Sequence, residues 1–384
     1  MAETKDRQPI HEHSRLAPGK AVQFDSFFRA LTKAGGSDLH LKAGRPPYVR
    51  INTSMRPTKG EPLSSEKIEE MAMELMTDKQ HKYFSDHGAN DLACEIPGGD
   101  RFRINIYRQR GNVSVSVRRV TRNIRDFEDL HLPASVRTIA EAHQGLVLLS
   151  GPTGCGKSTT IAAMLQYINR TRACHIVTIE DPIEYLYEDE KALVNQREIG
   201  IDVESFDSAL RYLMREDPDV VLIGEMRDYE TFQAALQASE TGHLVFGTVH
   251  ASSAPQTIGR ILDLFPPEGR DRVRQSLADN LQAIICQKLL PCIAKDVDRI
   301  PAVEILIRNP SVRQLISEDR QSELAEVIRS HERDGMLSFT RSLLDLIERN
   351  LVDPRVAYEV APNVDELKML MKGISSSRTG LLGR

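Results

Sequence analysis

Residues 145–169, GLVLLSGPTGCGKSTTIAAMLQYIN, constrain this chain more than any other stretch. Leu146 to Leu149 form a short apolar run of the kind that makes a buried strand of a parallel sheet. The run passes straight into Gly151-Pro152-Thr153-Gly154-Cys155-Gly156-Lys157-Ser158, which satisfies G-x-x-x-x-G-K-[ST]. A helical pattern follows at once, with Ile161, Leu165 and Ile168 on one face. Glycines in such a loop let the backbone wrap so that its N–H groups point inward at a phosphate chain. The helix start adds partial positive charge, Lys157 can reach the β- and γ-phosphates, and the Ser158 hydroxyl can ligate Mg²⁺. The alternative is a glycine-rich turn with no ligand. At average glycine usage the bare pattern arises in roughly one chain in a hundred of this length, and the flanking strand and helix make chance rarer still. The stretch reads as a nucleotide-binding P-loop.

The 384 residues suggest two domains. Residues 1–21 are polar and without periodicity and read as a disordered tail; 374–384 read as a loose one. Residues 22–119 suggest a small α+β domain. It has a helix with Phe24, Phe27, Phe28 and Leu31 on one face, strands around Asp38–Leu41 and Val49–Ile51, and two helices in 65–84. Thr77 and Gln80 have the spacing of a capping box for the second of these. Runs at 101–107 and 113–119 alternate at period two around 108–112 and predict an antiparallel hairpin. The charged stretch 120–133 reads as a linker. From 134 to 373 strands alternate with helices, which means an α/β domain with a mostly parallel sheet and a helical C-terminal part. Helices are expected to dominate 255–290. Phe206, Ala209, Leu210, Leu213 and Met214 are expected to form one inward helix face, and Phe232, Leu236 and Ser239 another.

Charge narrows the partners. A net charge of −5 with no basic block argues against nucleic acid. The five cysteines are scattered with no C-x-x-C pair, as expected of free thiols in a reduced cytoplasm. No run approaches a membrane-spanning length, and the first residues contain no apolar segment of the kind that directs secretion.

In open α/β sheets ligands bind beyond the carboxyl ends of the strands. Four apolar strands here deliver polar residues at that end: the P-loop, Glu180/Asp181/Glu184, Glu225/Arg227/Asp228, and His250. That convergence predicts hydrolysis of a bound nucleotide, which needs Mg²⁺ on the phosphates and a carboxylate on the attacking water. Acidic residues after a strand more often cap helices, but their place beside a P-loop favours chemistry. Gly224 stands where many P-loop enzymes carry a metal-binding Asp, which shifts some of that duty to the acids at 180–184. His250, at a strand's carboxyl end, suits a γ-phosphate sensor; His243 lies at the opposite end of the same strand. Arginines 101, 103, 108, 110, 118 and 119 crowd the hairpin, either as a solvated face or as arginine fingers.

Together these segments resemble the secretion/pilus ATPase superfamily, and closely its PilT/PilU branch, the twitching-motility ATPases that power type IV pilus retraction. The likeness spans residues 24–373: Ser37-Asp38-Leu39-His40, GPTGCGKSTT (151–160) with Cys155 where Ser is more usual, TIEDPIEY (178–185), VNQREIG (194–200), LMREDPD (213–219), GEMRD (224–228) and TGHLVFGTVHASSA (241–254). The resemblance implies a RecA-like P-loop motor domain preceded by a PAS-like domain. It also implies ATP held along the loop from Gly151, Pro152, Thr153, Gly154, Cys155 and Gly156 to Lys157, Ser158 and Thr159. Glu180 and His243 are implied close by, with Mg²⁺ on Ser158 and Glu180. It assigns the catalytic roles to Glu184, Glu225 and His250, with Arg103 and Arg118 approaching the nucleotide. It implies a homo-hexamer at the cytoplasmic face of the inner membrane, turning a platform protein by ATP-driven closure between its domains. Residues 311–318 match the branch's retraction motif at Arg313, Leu315, Ile316 and Glu318 but not at Gln314 and Ser317. With the Arg118-Arg119 pair, this keeps open an accessory PilU-like motor working beside a paralogous ATPase. An extension or type II secretion ATPase ranks lower, since such chains carry a larger N-terminal region and a tetracysteine site.

Overall fold

The computed structural model describes residues 22–51, 54–96, 99–295 and 297–373; both terminal tails, 1–21 and 374–384, lie outside them. The chain divides into two compact units. The first comprises the chain up to Asn123 together with 183–188 and 200–202, and the second the remainder.

The first unit runs α1 (Val22–Lys33), β1 (Asp38–Lys42), β2 (Tyr48–Ile51), β3 (Ser54–Pro57), α2 (Ser65–Glu74), α3 (Asp78–His87), β4 (Ala89–Glu95), β5 (Arg101–Gln109) and β6 (Asn112–Val120). Its strands form one antiparallel sheet in the order β3-β2-β1-β6-β5-β4. Period-two alternation gives the sheet two unlike faces. Leu39, Leu41, Leu92, Phe102, Ile104, Ile106, Val115 and Val117 are buried in one core with Phe24, Phe28 and Leu31 of α1. Phe28 stacks on Phe102 with ring centroids 4.3 Å apart. The Thr77–Gln80 capping box is formed in both directions. The hairpin is tighter than its sequence suggests. β5 and β6 run on to Gln109 and Asn112, and the turn is Arg110-Gly111, both at positive φ (49° and 80°), as a two-residue hairpin loop requires.

Segment 183–188 joins this unit through its backbone. Thr121 bridges Tyr185, the Leu186 N–H donates to the Thr121 carbonyl at 3.2 Å, and Arg122 ion-pairs with Glu188 at 2.6 Å and with Glu95.

The second unit runs α4 (Ala134–Ala140), β7 (Gly145–Ser150), α5 (Lys157–Thr171), β8 (His175–Glu180), β9 (Leu193–Glu198), α6 (Phe206–Leu213), β10 (Val220–Ile223), α7 (Tyr229–Glu240), β11 (Leu244–Val249), α8 (Ala254–Asp263), α9 (Arg270–Asn280), β12 (Leu281–Pro291) and β13 (Arg299–Ile307). It closes with α10 (Pro310–Ser317), α11 (Leu324–Ser330), α12 (Phe339–Glu348), α13 (Pro354–Val360) and α14 (Val364–Met371). The sheet order is β13-β12-β7-β11-β10-β8-β9, parallel throughout except that β13 pairs antiparallel with β12. This is the expected α/β fold: a mostly parallel sheet carrying the P-loop, after a smaller α+β unit and before C-terminal helices.

Two expectations need correction. Residues 281–290 are strand, not helix: the run Ala283-Ile284-Ile285-Cys286 fills the sheet beside β7. A short apolar run suits a buried strand or a buried helix equally, and sheet pairing decides it. Met214 is exposed, because α6 ends at Leu213. Within 120–133, the stretch read as a linker, Ile124, Phe127, Leu130 and Leu132 are buried.

Candidate functional site

Strand β7 is buried along its whole length and aims its carboxyl end into the loop at 151–156. Gly151, Gly154 and Gly156 take φ of 147°, 77° and 95°, values that side chains rarely adopt. At Gly151 a Cβ would lie 2.5 Å from the Gln287 carbonyl oxygen and 2.6 Å from Cys155 Sγ. At Gly156 it would lie 2.6 Å from Gln287 Nε2. Gly151 is therefore required by close packing on the β12 backbone as well as by φ, and Gly156 by φ, with the Gln287 side chain against it. Gln287, itself buried, donates from Nε2 to the Cys155 carbonyl at 2.7 Å and accepts from Thr160 Oγ1 at 2.9 Å. One side chain thus fastens the loop to the first turn of α5.

Helix α5 begins at Lys157 with no side chain capping its first N–H groups, which leaves those donors and the positive helix end for an anion. Lys157 is buried and donates from Nζ to the carbonyls of Gly151 (2.8 Å) and Pro152 (3.2 Å). Ser158 and Thr159 follow it in that first turn, both half-buried, whereas Pro152, Thr153 and Gly154 are exposed at the loop's crest. Thr159 is the one member of the expected nucleotide-binding run that lies beyond the G-x-x-x-x-G-K-[ST] pattern. Burial pushes the Cys155 thiol up, only partly opposed by Lys157, so it is a packed neutral group rather than a nucleophile. Beside the loop opens a cavity of about 530 Å³, lined by Gly151–Cys155, His250, Lys288 and Arg299 among others.

The polar residues expected at neighbouring strand ends are brought together in this unit. Glu225 follows β10 and His250 follows β11, its direct neighbour; His250 Nε2 lies 2.9 Å from Glu225 Oε1. Arg227 also grips this carboxylate, with Nη2 2.5 Å from Oε2 and Nε on Oε1. Burial works to raise the Glu225 pKa, but Arg227 and His250 outweigh it and hold the carboxyl below its ordinary range. Between them Met226 is buried over Gly247, where a Cβ would lie 2.0 Å from Met226 Cε. Ser150 ties two strand ends together: its Oγ donates to the Ala251 carbonyl (3.0 Å) and accepts from the Ala251 N–H (3.1 Å).

Glu180 ends β8, largely buried, and accepts from Thr178 Oγ1 (2.7 Å) and Gln196 Nε2 (3.3 Å). A Cβ on Gly224 would lie 3.2 Å from Glu180 Cα and from the Ile179 carbonyl oxygen, so little room exists there for the missing Asp. Among the described residues no group of three or more His, Cys, Asp or Glu could cage a metal ion.

One expected residue of this unit lies away from that end. His243 precedes β11, one strand length (about 20 Å by strand rise) from the P-loop end. Its Nδ1 lies 2.9 Å from the Ala238 carbonyl oxygen and 3.1 Å from Thr241 Oγ1. Strand direction alone puts it there. Glu184, Arg103 and Arg118 belong to the first unit, Glu184 exposed in segment 183–188. Sequence reasoning missed Gln287, Lys288 and Arg299. The β-branched pair Ile284-Ile285 leans toward a strand, but only pairing with β7 sets that strand beside the loop. Half-buried Lys288 donates to the Val360 carbonyl at 2.8 Å and lies over the Phe339 ring at 4.8 Å.

Residues 101–345 match the sequence family described as Type II/IV secretion system protein. The Pseudomonas aeruginosa type IV pilus retraction ATPase PilT is 42% identical over 86% of this chain and 95% of its own length. The type IV pilus ATPase PilU of the same organism is 35% identical over 91% of this chain and 92% of its own. The crystal structure of a pilus retraction motor PilT with bound ADP superposes with a TM-score of 0.83 at 40% identity, covering 89% of this chain and 98% of that one.

The Gln287 bridge yields a test that needs no ligand. Gln287→Met keeps the volume but leaves the Cys155 carbonyl and the Thr160 hydroxyl unpaired, at a cost of about 1–3 kcal/mol. We expect lower stability in urea and faster amide hydrogen exchange across 151–160. Unchanged exchange there would show that the loop is fixed by its backbone alone.

Proposed function

This chain belongs to the type II/IV secretion system protein family, and we propose that within it the chain is an ATP-hydrolysing motor that retracts type IV pili. The observation that carries the ATPase reading is the convergence of an uncapped P-loop helix with a Glu225–His250 pair at adjacent strand ends. Nearly full-length likeness to a pilus retraction ATPase carries the retraction reading.

The backbone N–H groups from Thr153 to Thr159, together with the Lys157 side chain, hold the ATP phosphates, Lys157 exchanging its own loop carbonyls for phosphate oxygens. Ser158 and Glu180 would hold Mg²⁺, which when bound neutralises charge on the β- and γ-phosphates. Glu225 orients the attacking water and accepts its proton. The water oxygen bonds to the γ-phosphorus, the bond to the β,γ-bridging oxygen breaks, and ADP leaves. His250, hydrogen-bonded to Glu225, reports on the γ-phosphate, and Glu184 is a second acid for the water or metal. Arg103 and Arg118 serve as arginine fingers on nucleotide held by a neighbouring copy. Copies assemble as a homo-hexamer at the cytoplasmic face of the inner membrane, where the ring turns a platform protein. No helix among the described residues is long and apolar enough to cross a membrane, which fits a peripheral position.

A second reading, an accessory motor beside a paralogous ATPase, is favoured by Gln314 and Ser317 on α10 where the retraction motif has other residues. Fluorescent imaging of pili in cells lacking this protein, beside a Lys157→Ala strain, separates the readings. Pili that extend but fail to shorten in both strains support the retraction motor. Normal retraction at reduced force supports the accessory motor, and absence of pili would overturn both in favour of extension or secretion.

The electrostatics of Glu225 add a pH prediction. Because its carboxyl lies below the ordinary range, wild-type turnover should persist until the pH falls beneath that range. Arg227→Ala leaves the upward push of burial less opposed, so the acid limb of the pH–rate profile should move to higher pH. A limb that stays in place would mean that Glu225 is not the group titrating.

A further inference from the structure

The open face of the first unit's sheet carries a row of charge that the proposed chemistry leaves unexplained. Strand register places Arg103, Arg118, Asp38 and Arg50 side by side on β5, β6, β1 and β2. Like charges directly opposite one another repel, so Arg103 beside Arg118 is unfavourable unless something compensates. Asp38 is the compensating group. Its side chain is 10% exposed and accepts from Arg118 Nε at 2.9 Å and from Ser37 Oγ at 2.8 Å, with Arg50 Nε at 3.4 Å. Burial tends to raise its pKa, but Ser37, Arg118 and Arg50 together lower it, so the carboxylate stays charged.

The neighbouring histidine does not compete for that charge. His40 Nδ1 lies 3.1 Å from Ser116 Oγ, its Nε2 is buried without a partner, and burial lowers its pKa. The Asp38 charge is therefore committed to arginine.

The Arg118 side chain remains 67% exposed, and its hydrogen bond to Asp38 uses Nε only. A guanidinium held by its Nε edge presents both Nη groups in one fixed plane, the fork that matches a phosphate oxygen pair. An unheld arginine would have to give up its rotamer freedom each time it engaged an anion.

We propose that Asp38 is a positioning residue that fixes Arg118 as a preformed anion fork, giving the Ser37-Asp38-Leu39-His40 stretch its purpose. This rests on the reading of Arg118 as an arginine finger. Asp38 touches no substrate; it acts through Arg118.

The test is a double-mutant cycle on the full-length protein, reading steady-state ATP turnover. Asp38→Ala should lower kcat about tenfold, or about 1.4 kcal/mol, with the KM for MgATP changed less than about twofold, because a finger acts in the transition state. Asp38→Asn keeps an acceptor oxygen but no charge and should recover part of the loss; it also serves if Asp38→Ala folds poorly. In an Arg118→Ala background, Asp38→Ala should lower kcat no further. Equal losses in both backgrounds would overturn the proposal, because Asp38 would then act on the sheet and not on Arg118. So would an unaffected Asp38→Ala enzyme when Arg118→Ala is impaired. If Arg118→Ala alone leaves kcat unchanged, the finger reading itself fails, and the tether with it.

Discussion

The packing of the P-loop on strand β12 is the constraint from which the rest of the second unit follows. Gly151 approaches the Gln287 backbone carbonyl too closely for any Cβ, Gly156 lies against the Gln287 side chain, and Gln287 returns two hydrogen bonds that join the loop to helix α5. Three things must hold together for this contact. β12 must lie parallel beside β7, glycine must stand at both positions, and the loop must turn through positive φ. With them in place α5 starts directly from the loop, with no side chain capping its first turn. Packing shapes this cradle, and the Lys157 ammonium, held on the loop's own carbonyls, adds its charge.

Around that cradle the unit manages charge by pairing acids with arginines whose outer edges stay in solvent. Glu225 is held by an Arg227 that is itself 75% exposed, and by His250 from the next strand. Burial alone would favour a protonated acid; the two partners keep it ionised and oriented. In the first unit Asp38 stands in the same relation to Arg118, with the difference that the acid is buried and the arginine is the group presented. In both places a carboxylate and a guanidinium fix each other's direction, which matters more for geometry than for stability in pairs this exposed.

Much of this was legible in the sequence because local chemistry and tertiary context agree. The strand–loop–helix at 145–169, the Thr77–Gln80 capping box and the inward face of Phe232, Leu236 and Ser239 follow from spacing alone. The convergence of Glu225 and His250 follows from strand ends in a parallel sheet. What remained hidden depends on partners distant in sequence. Residues 281–291 become strand only by pairing with β7 and β13, so Gln287 and Lys288 could not be placed near the loop from periodicity. The crowded hairpin arginines likewise sort themselves only in three dimensions. Arg119 pairs with Asp100 at 2.5 Å, Arg108 reaches Glu69 and lies over Phe84, and Arg118 turns to Asp38. Register across the sheet decides which are structural and which face outward.

The most direct test of the account is a paired measurement of nucleotide affinity and steady-state ATP turnover for wild type and Glu225→Gln. The substitution keeps the shape but gives up one of the two acceptor oxygens that Arg227 holds, and removes the charge that orients and deprotonates water. Turnover should fall at least about a hundredfold, the lower end of what a general base contributes, while nucleotide affinity stays within about threefold. Turnover equal to wild type would contradict the account, since the carboxylate at the end of β10 would then not be the group that drives hydrolysis.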